Sequence, residues 1–150
     1  MAEQENIKVV QDIIDMVATN QLHRTPELFH EDYTAEMPGS PALNREQAQQ
    51  WTQTYLDAFP DFRAEVTRII AHGDDVVVML TESGTNTGPL PLPTGEIVPA
   101  TGRSISTAAC YVYTLRDGKV ARAYGYMDQA DVLSQLGLLA IAERAREVGR

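Results

Sequence analysis

Cysteine, histidine and positive charge are all scarce in this chain. Cys110 is the only cysteine among 150 residues. A single thiol can close no internal disulfide and has no companions for a zinc or iron–sulfur site, which fits a reducing cytoplasm. His23, His30 and His72 fall on expected helix ends and turns, none with a partner at metal-ligand spacing, so no metal site is expected. Twelve basic residues stand against 21 acidic ones, for a net charge of −9. Such a surface repels phosphate backbones, and with no basic cluster to offset this, nucleic acid is a poor partner. No apolar run nears the roughly 18 residues that suggest a membrane span. The acidic start, Met1 to Asn6, lacks the apolar core of an export signal. Gly84, Gly88 and Gly95 lie in a loop between strands, not in a strand-to-helix turn, so no nucleotide site is indicated. Ser83, Ser104 and Ser106 lack a histidine at recognisable motif positions, leaving nucleophilic catalysis without support. No cofactor is expected.

What is present is an ordinary globular composition, 43% hydrophobic and 22% charged. Residues 1–150 read as one domain, and at that length roughly 68–70% of the unfolded surface can be buried. A core and an internal pocket can therefore coexist. Residues 5–19 read as a helix with Val10, Ile13, Ile14 and Val17 on one face. A short helix starts at Thr25-Pro26-Glu27-Leu28, with Thr25 able to cap and Pro26 suited to the first helical position. Tyr33 to Met37 is extended and ends at Pro38-Gly39-Ser40-Pro41. Asn44 then caps a third helix, with Gln47 completing a capping box. Its expected buried face is Ala48, Trp51, Tyr55 and Phe59, and Pro60 ends it.

Beyond residue 61 the period changes from helical to alternating. Residues 64–71, 76–85, 104–115 and 119–126 are rich in Val, Ile, Thr and Tyr and read as strands. Gly73-Asp74 and Asp117-Gly118 tolerate positive φ and mark hairpins, so these strands should be antiparallel. Residues 129–148 return to helix, bent near Gly137. Between Gly84 and Gly102 lies a proline-rich stretch, either a lid or a solvated connection. Three helices, a meander and a final helix describe an α+β fold. Its curved sheet needs helices against the concave face, forming a cone with an apolar cavity.

Several motifs, in this order, carry a resemblance: Phe59-Pro60-Asp61, Ile70-Ala71-His72-Gly73-Asp74, Gly84-Thr85-Asn86-Thr87-Gly88, Pro93-Thr94-Gly95, Asp117-Gly118-Lys119-Val120 and Gln135-Leu136-Gly137-Leu138. From about residue 5 to 140 the chain resembles the SnoaL-like polyketide cyclases, within the nuclear transport factor two-like superfamily. The resemblance implies the cone fold and a homodimer formed through the outer sheet face. It also implies an acid/base pair, an aspartate on the last strand and a histidine on the strand before. Here those positions fall on Gly125 and Tyr111, and a glycine transfers no proton. Asn86 stands where many relatives carry histidine, and Met37 where related steroid isomerases carry a base.

Replacement acid/base groups are therefore sought among other residues. Asp128 follows the last strand, and either Tyr124, Tyr126 and Leu133 desolvate it at a cavity edge or it serves only to cap the next helix. Glu82 continues the apolar stripe Val76, Val78, Leu80. A carboxylate there is costly unless paired or protonated. It is the best general base if it points inward; otherwise the stripe ends before it, or Arg103 or Arg122 pairs with it. Tyr111 shares a face with Tyr113, and Tyr124 with Tyr126; a phenol can donate to a developing oxyanion. The catalytic candidates are Asp128, Glu82 and Tyr111. The expected ligand contacts are Tyr33, Met37, Trp51, Tyr113 and Tyr126. Small residues at Ala109, Ala123 and Gly125 would leave room for a bulky ligand, or allow tight packing. The expected activity is cofactor-independent cyclisation, isomerisation or dehydration of a hydrophobic, oxygenated small molecule. The alternative is a pocket that binds such a molecule without transforming it.

Overall fold

The computed structural model describes residues 2–92 and 95–148. Pro93 and Thr94, within the proline-rich stretch, lie outside the described residues. Helix α1 (Ala2–Ala18) buries Val10, Ile13 and Met16 and packs on strands β3 (Arg63–His72) and β4 (Asp75–Thr85). Its first turn is tied to the β3–β4 hairpin, where the Gly73 amide donates to Glu3 Oε1 at 3.0 Å. A 3-10 turn, Leu22–Arg24, leads into α2 (Thr25–Leu28). Thr25 does not cap this helix; it is its first residue, and its hydroxyl donates back to the Leu22 carbonyl at 2.6 Å. Asn44 caps α3 (Arg45–Ala58) with the full reciprocal box, Asn44 Oδ1 accepting from the Gln47 amide and Gln47 Oε1 from the Asn44 amide, each at 2.9 Å.

Strands β3 and β4 join β1 (Phe29–Glu36), β2 (Leu43–Asn44), β7 (Ser104–Arg116) and β8 (Lys119–Met127) in one six-stranded sheet, in the order β2-β1-β8-β7-β4-β3. The four long strands β3, β4, β7 (Ser104–Arg116) and β8 (Lys119–Met127) form the expected antiparallel meander. The Asp117-Gly118 turn has positive φ at both residues, 53° and 77°, the geometry that matches the twist of a two-residue hairpin. The short extended stretch is longer than its sequence suggested. It forms β1 (Phe29–Glu36), which pairs with the two-residue β2 (Leu43–Asn44) and runs parallel to β8. A parallel neighbour needs a long crossover, and α3 with the first three long strands supplies it.

The helices cover one face of this sheet, and strand parity sorts the residues between the two faces. Val76, Val78 and Leu80 of β4 point into the main core beside Tyr113 of β7 and Val10 and Ile13 of α1. Val77 and Met79, with Val112, Cys110, Tyr124 and Tyr126 in register, form the other face. No helix of the described residues is long and apolar enough to cross a membrane.

The stretch between β4 and β7 is folded onto the body. It contains a small hairpin, β5 (Leu90–Pro91) with β6 (Ile97–Val98). Leu92 and Val98 pack with Phe59, Ile105, Val132 and Leu136 in a second cluster. Asn86, 0% exposed, fixes both ends of the loop. Its Nδ2 donates to the Ala58 and Gly88 carbonyls at 3.2 and 2.9 Å, and its Oδ1 accepts from the Thr101 amide and hydroxyl at 2.8 and 2.9 Å. Gly88 runs so close to α3 that a Cβ there would lie 2.0 Å from the Asp57 carbonyl oxygen. The C-terminal helix is broken as expected, into α4 (Gln129–Gln135) and α5 (Leu139–Val148), with Gly137 between them at φ 74°.

Candidate functional site

Glu82 continues the inward stripe of β4 and is 5% exposed. Both expected alternatives fail. The Arg103 guanidinium packs against Gly137, and Arg122 lies over the Tyr124 ring with Glu36 at 3.8 Å. Among the described residues no cation bonds to Glu82. Its partner is a phenol: Tyr111 Oη donates to Glu82 Oε1 at 2.8 Å. Burial pushes the carboxyl's pKa up and the Tyr111 hydrogen bond pulls it part of the way back, the net direction being upward. Among the described residues Oε2 makes no hydrogen bond.

Tyr111 reaches Glu82 because of what stands beside it on the next strand. It is in register with Gly125, and a Cβ at Gly125 would lie 2.9 Å from Tyr111 Cε1 and 3.4 Å from Met37 Cγ. The ring therefore fills the space that a side chain on β8 would take. At the two positions where the resemblance puts an acid/base pair, the chain has a glycine and the phenol that covers it. Tyr113 stacks on Tyr111 with centroids 6.1 Å apart and planes 18° from parallel. Tyr33, buried, packs edge-on to Phe29, and its phenol lies close enough to Tyr113 to oppose ionisation there. Tyr111 and Tyr113 both hold their protons more firmly than a free phenol, first because they are buried and then through neighbouring negative charge, Glu82's included.

Tyr55 enters from the opposite wall. Its ring lies 4.8 Å from Phe59 and 5.9 Å, edge-on, from Phe62. Burial, and after it the charge of Glu82, raise its pKa. Its hydroxyl is buried and, among the described residues, has no hydrogen-bond partner. The spacing of α3 marks Tyr55 as inward-facing, but an unpartnered hydroxyl is a result of packing that spacing does not reveal. Thr107, buried and directly across from Glu82 on β7, has no sequence signal of its own. A cavity of about 270 Å³ opens between the ends of α1 and α3, lined by Val17, Leu56, Pro60 and Phe62 among others. Phe62 is thus shared by the cavity wall and the packing around Tyr55.

The structure brings together Glu82, Tyr111, Tyr113, Tyr33 and Met37, and leaves three expected site residues elsewhere. Asp128 is exposed and caps α4, its Oδ1 accepting from the Asp131 amide at 3.0 Å. Tyr126 is 50% exposed because its strand parity puts it, with Tyr124, on the face away from the helices. Those two phenols therefore do not desolvate Asp128. Trp51 is 41% exposed, not buried as its spacing suggested. The inward stripe of α3 runs through Ala48, Thr52, Tyr55 and Leu56, which leaves Trp51 on the helix flank. Two of the motifs carrying the resemblance are structural. Asp61 accepts from the Thr85 amide and hydroxyl at 2.6 and 2.8 Å, and Asn86 anchors the loop. The Thr85 amide bond is the main cause holding the Asp61 carboxyl below its usual range. Among the described residues, no group of three His, Cys, Asp or Glu is placed to hold a metal ion.

A model of the SnoaL-like polyketide cyclase family matches residues 7–136. Among solved structures, a SnoaL-like chain from Jannaschia sp. CCS1 superposes with a TM-score of 0.80 at 22% identity, over 89% of this chain and 92% of the other. IdmH from Streptomyces antibioticus, proposed to be a polyketide cyclase, gives a TM-score of 0.74 at 24% identity, over 88% and 98%. An epoxide hydrolase of the LEH-like type from M. tuberculosis gives 0.70 at 15% identity, over 97% and 99%. These likenesses show the nuclear transport factor two-like fold. No curated protein matches the sequence.

Proposed function

Because the chain belongs to the SnoaL-like polyketide cyclase family, we propose that it catalyses cofactor-independent proton transfer on a hydrophobic, oxygenated small molecule. Glu82 is the acid/base in this reading. The observation that carries it is the Tyr111–Glu82 hydrogen bond, made to an inward carboxylate without a cationic partner among the described residues. A carboxylate with a raised pKa takes a proton better than an ordinary one and returns it within the same site. Beside a substrate carbonyl, Glu82 removes a proton from the adjacent carbon and delivers it elsewhere. Depending on the substrate, the result is cyclisation, isomerisation or dehydration. Tyr111 fixes the carboxylate through Oε1 and leaves Oε2 to react. Met37, Tyr33 and Tyr113 are the proposed apolar contacts.

Exchange of the acidic C–H protons of 2-tetralone, followed by NMR in D2O, tests this without knowledge of the natural substrate. The wild-type protein should accelerate the exchange, and Glu82→Gln should lower the acceleration by roughly 10²–10⁴-fold. Equal rates in the two proteins, or no acceleration by the wild type, would overturn the assignment.

The glycine at position 125 favours a second reading, a pocket that holds its ligand unchanged. Mass analysis of a ligand recovered after incubation separates the two, since a binder returns it intact. The exposed apolar side chains Ile70, Met79 and Tyr126 support a proposed homodimer through the uncovered sheet face. Sedimentation showing only monomer would remove that proposal. The lone Cys110 suits a reducing, cytoplasmic location.

A further inference from the structure

Tyr55 holds the one buried side-chain polar atom found without a partner among the described residues. An unmade hydrogen bond in a protein interior is costly, and such groups call for a specific explanation. Its ring is clamped between Phe59 and Phe62, so the hydroxyl cannot easily swing away to solvent. The neighbouring carboxylate, Glu82, accepts a hydrogen bond from the Tyr111 hydroxyl through Oε1 and none from Tyr55. Among the described residues the Tyr55 hydroxyl thus donates to no protein atom, the free Oε2 of Glu82 included.

The charge around it limits what the acceptor can be. Among the described residues Glu82 has no bonded cation, and the polar side chains near it, the phenols and Thr107, are neutral. A carboxylate or phosphate brought beside Glu82 would meet like charge in a place of low dielectric. A neutral oxygen would not. We propose that the Tyr55 hydroxyl donates to an uncharged oxygen of the ligand, so that the site accepts neutral carbonyl compounds and rejects anions of similar size. This rests on the reading of Glu82 as acid/base and adds the group that polarises the substrate. As negative charge grows on the carbonyl oxygen during proton removal, the bond from Tyr55 strengthens and stabilises it.

The experiment uses 1-tetralone as a neutral probe and 2-naphthoate as an anion of similar shape. Infrared difference spectra of bound 1-tetralone should show the carbonyl band shifted to lower frequency in the wild type and in Glu82→Gln. In Tyr55→Phe the band should return towards its unbonded position, with binding weakened about fivefold to thirtyfold. The wild type should bind 2-naphthoate at least about tenfold more weakly than 1-tetralone. A carbonyl shift retained in Tyr55→Phe means that water or another group makes the bond, and overturns the proposal. So does equal affinity for 2-naphthoate, or no saturable binding of 1-tetralone. The two readings fail separately. Loss of 2-tetralone exchange in Glu82→Gln with an unchanged band in Tyr55→Phe removes only the Tyr55 role, whereas a band shift lost in Tyr55→Phe with exchange intact in Glu82→Gln removes only the Glu82 role.

Discussion

Glu82, near the end of β4, and Asn86, the first residue beyond it, lie four residues apart, both buried and both polar, and they are treated in opposite ways. Asn86 has both side-chain polar atoms engaged, by Ala58, Gly88 and Thr101, and its backbone is bonded to Arg103 and Gly102 as well. Among the described residues Glu82 has one hydrogen bond and no counterion. A fully satisfied buried polar group specifies one arrangement of the chain, whereas a partly satisfied one costs stability and stays available for chemistry. The loop anchor and the proposed acid/base are thus distinguished by their partners, since their burial is nearly the same. Asn86 is in the motif that carries the family resemblance, and Glu82 is not.

The largest stability effect should come from the anchor. Gly88→Ala places a methyl 2.0 Å from the Asp57 carbonyl oxygen, against backbone that cannot step aside. A loss of about 3 kcal/mol is expected in chemical denaturation. Asn86→Ala should follow at about 2–3 kcal/mol, because the Thr101 amide and the Ala58 carbonyl lose their partner. A loss well under 1 kcal/mol would show that the loop is held by Leu92 and Val98 instead.

Glu82→Gln should do the reverse and raise the melting temperature, by an amount that depends on pH. The folded-state pKa of Glu82 lies above its unfolded value, so its contribution to stability is complete below pH 4.5 and is lost as pH rises through the folded value. Glutamine does not titrate. The gain should therefore be small in acid, grow with rising pH, and level off once Glu82 is ionised in the folded protein. A variant that is uniformly less stable would mean that Glu82 is a structural group like Asn86. The smallest effect belongs to Asp128→Ala, about 1 kcal/mol from the lost cap, with 2-tetralone exchange unchanged. A large fall in exchange would return Asp128 to the site.

Much of this architecture was legible in local sequence. Alternation located all four long strands, the Asn44–Gln47 pair located the start of α3, and Asp117-Gly118 located a hairpin, because each depends on only a few neighbouring residues. The stripe Val76, Val78, Leu80 singles out Glu82 but leaves open whether it ends before that residue; the structure shows that it does not. Parity showed that Tyr124 and Tyr126 share a face but not which face, since that depends on the register of β8 against its neighbours. Trp51 was misplaced because a helical stripe can be drawn with a width of one residue more or less. The hydroxyl of Tyr111 reaches a carboxylate 29 positions away, and its ring fits only because residue 125 has no side chain. The family's pattern marks position 125 as a missing catalytic group; the structure adds that the space is filled.

The parallel pairing of β1 with β8 bears on how the protein is made. β8 lies between β1 and β7 in the sheet although it is the last strand in the chain. While the chain is being synthesised, β1 and β7 each wait with an open edge for a strand not yet available. Such contacts between distant parts of a sequence form slowly, and open edges invite pairing with other chains. The inner surface that carries Glu82 and Tyr111 is therefore closed only once β8 has been made, and a chain stopped before residue 119 would lack the strand that completes it.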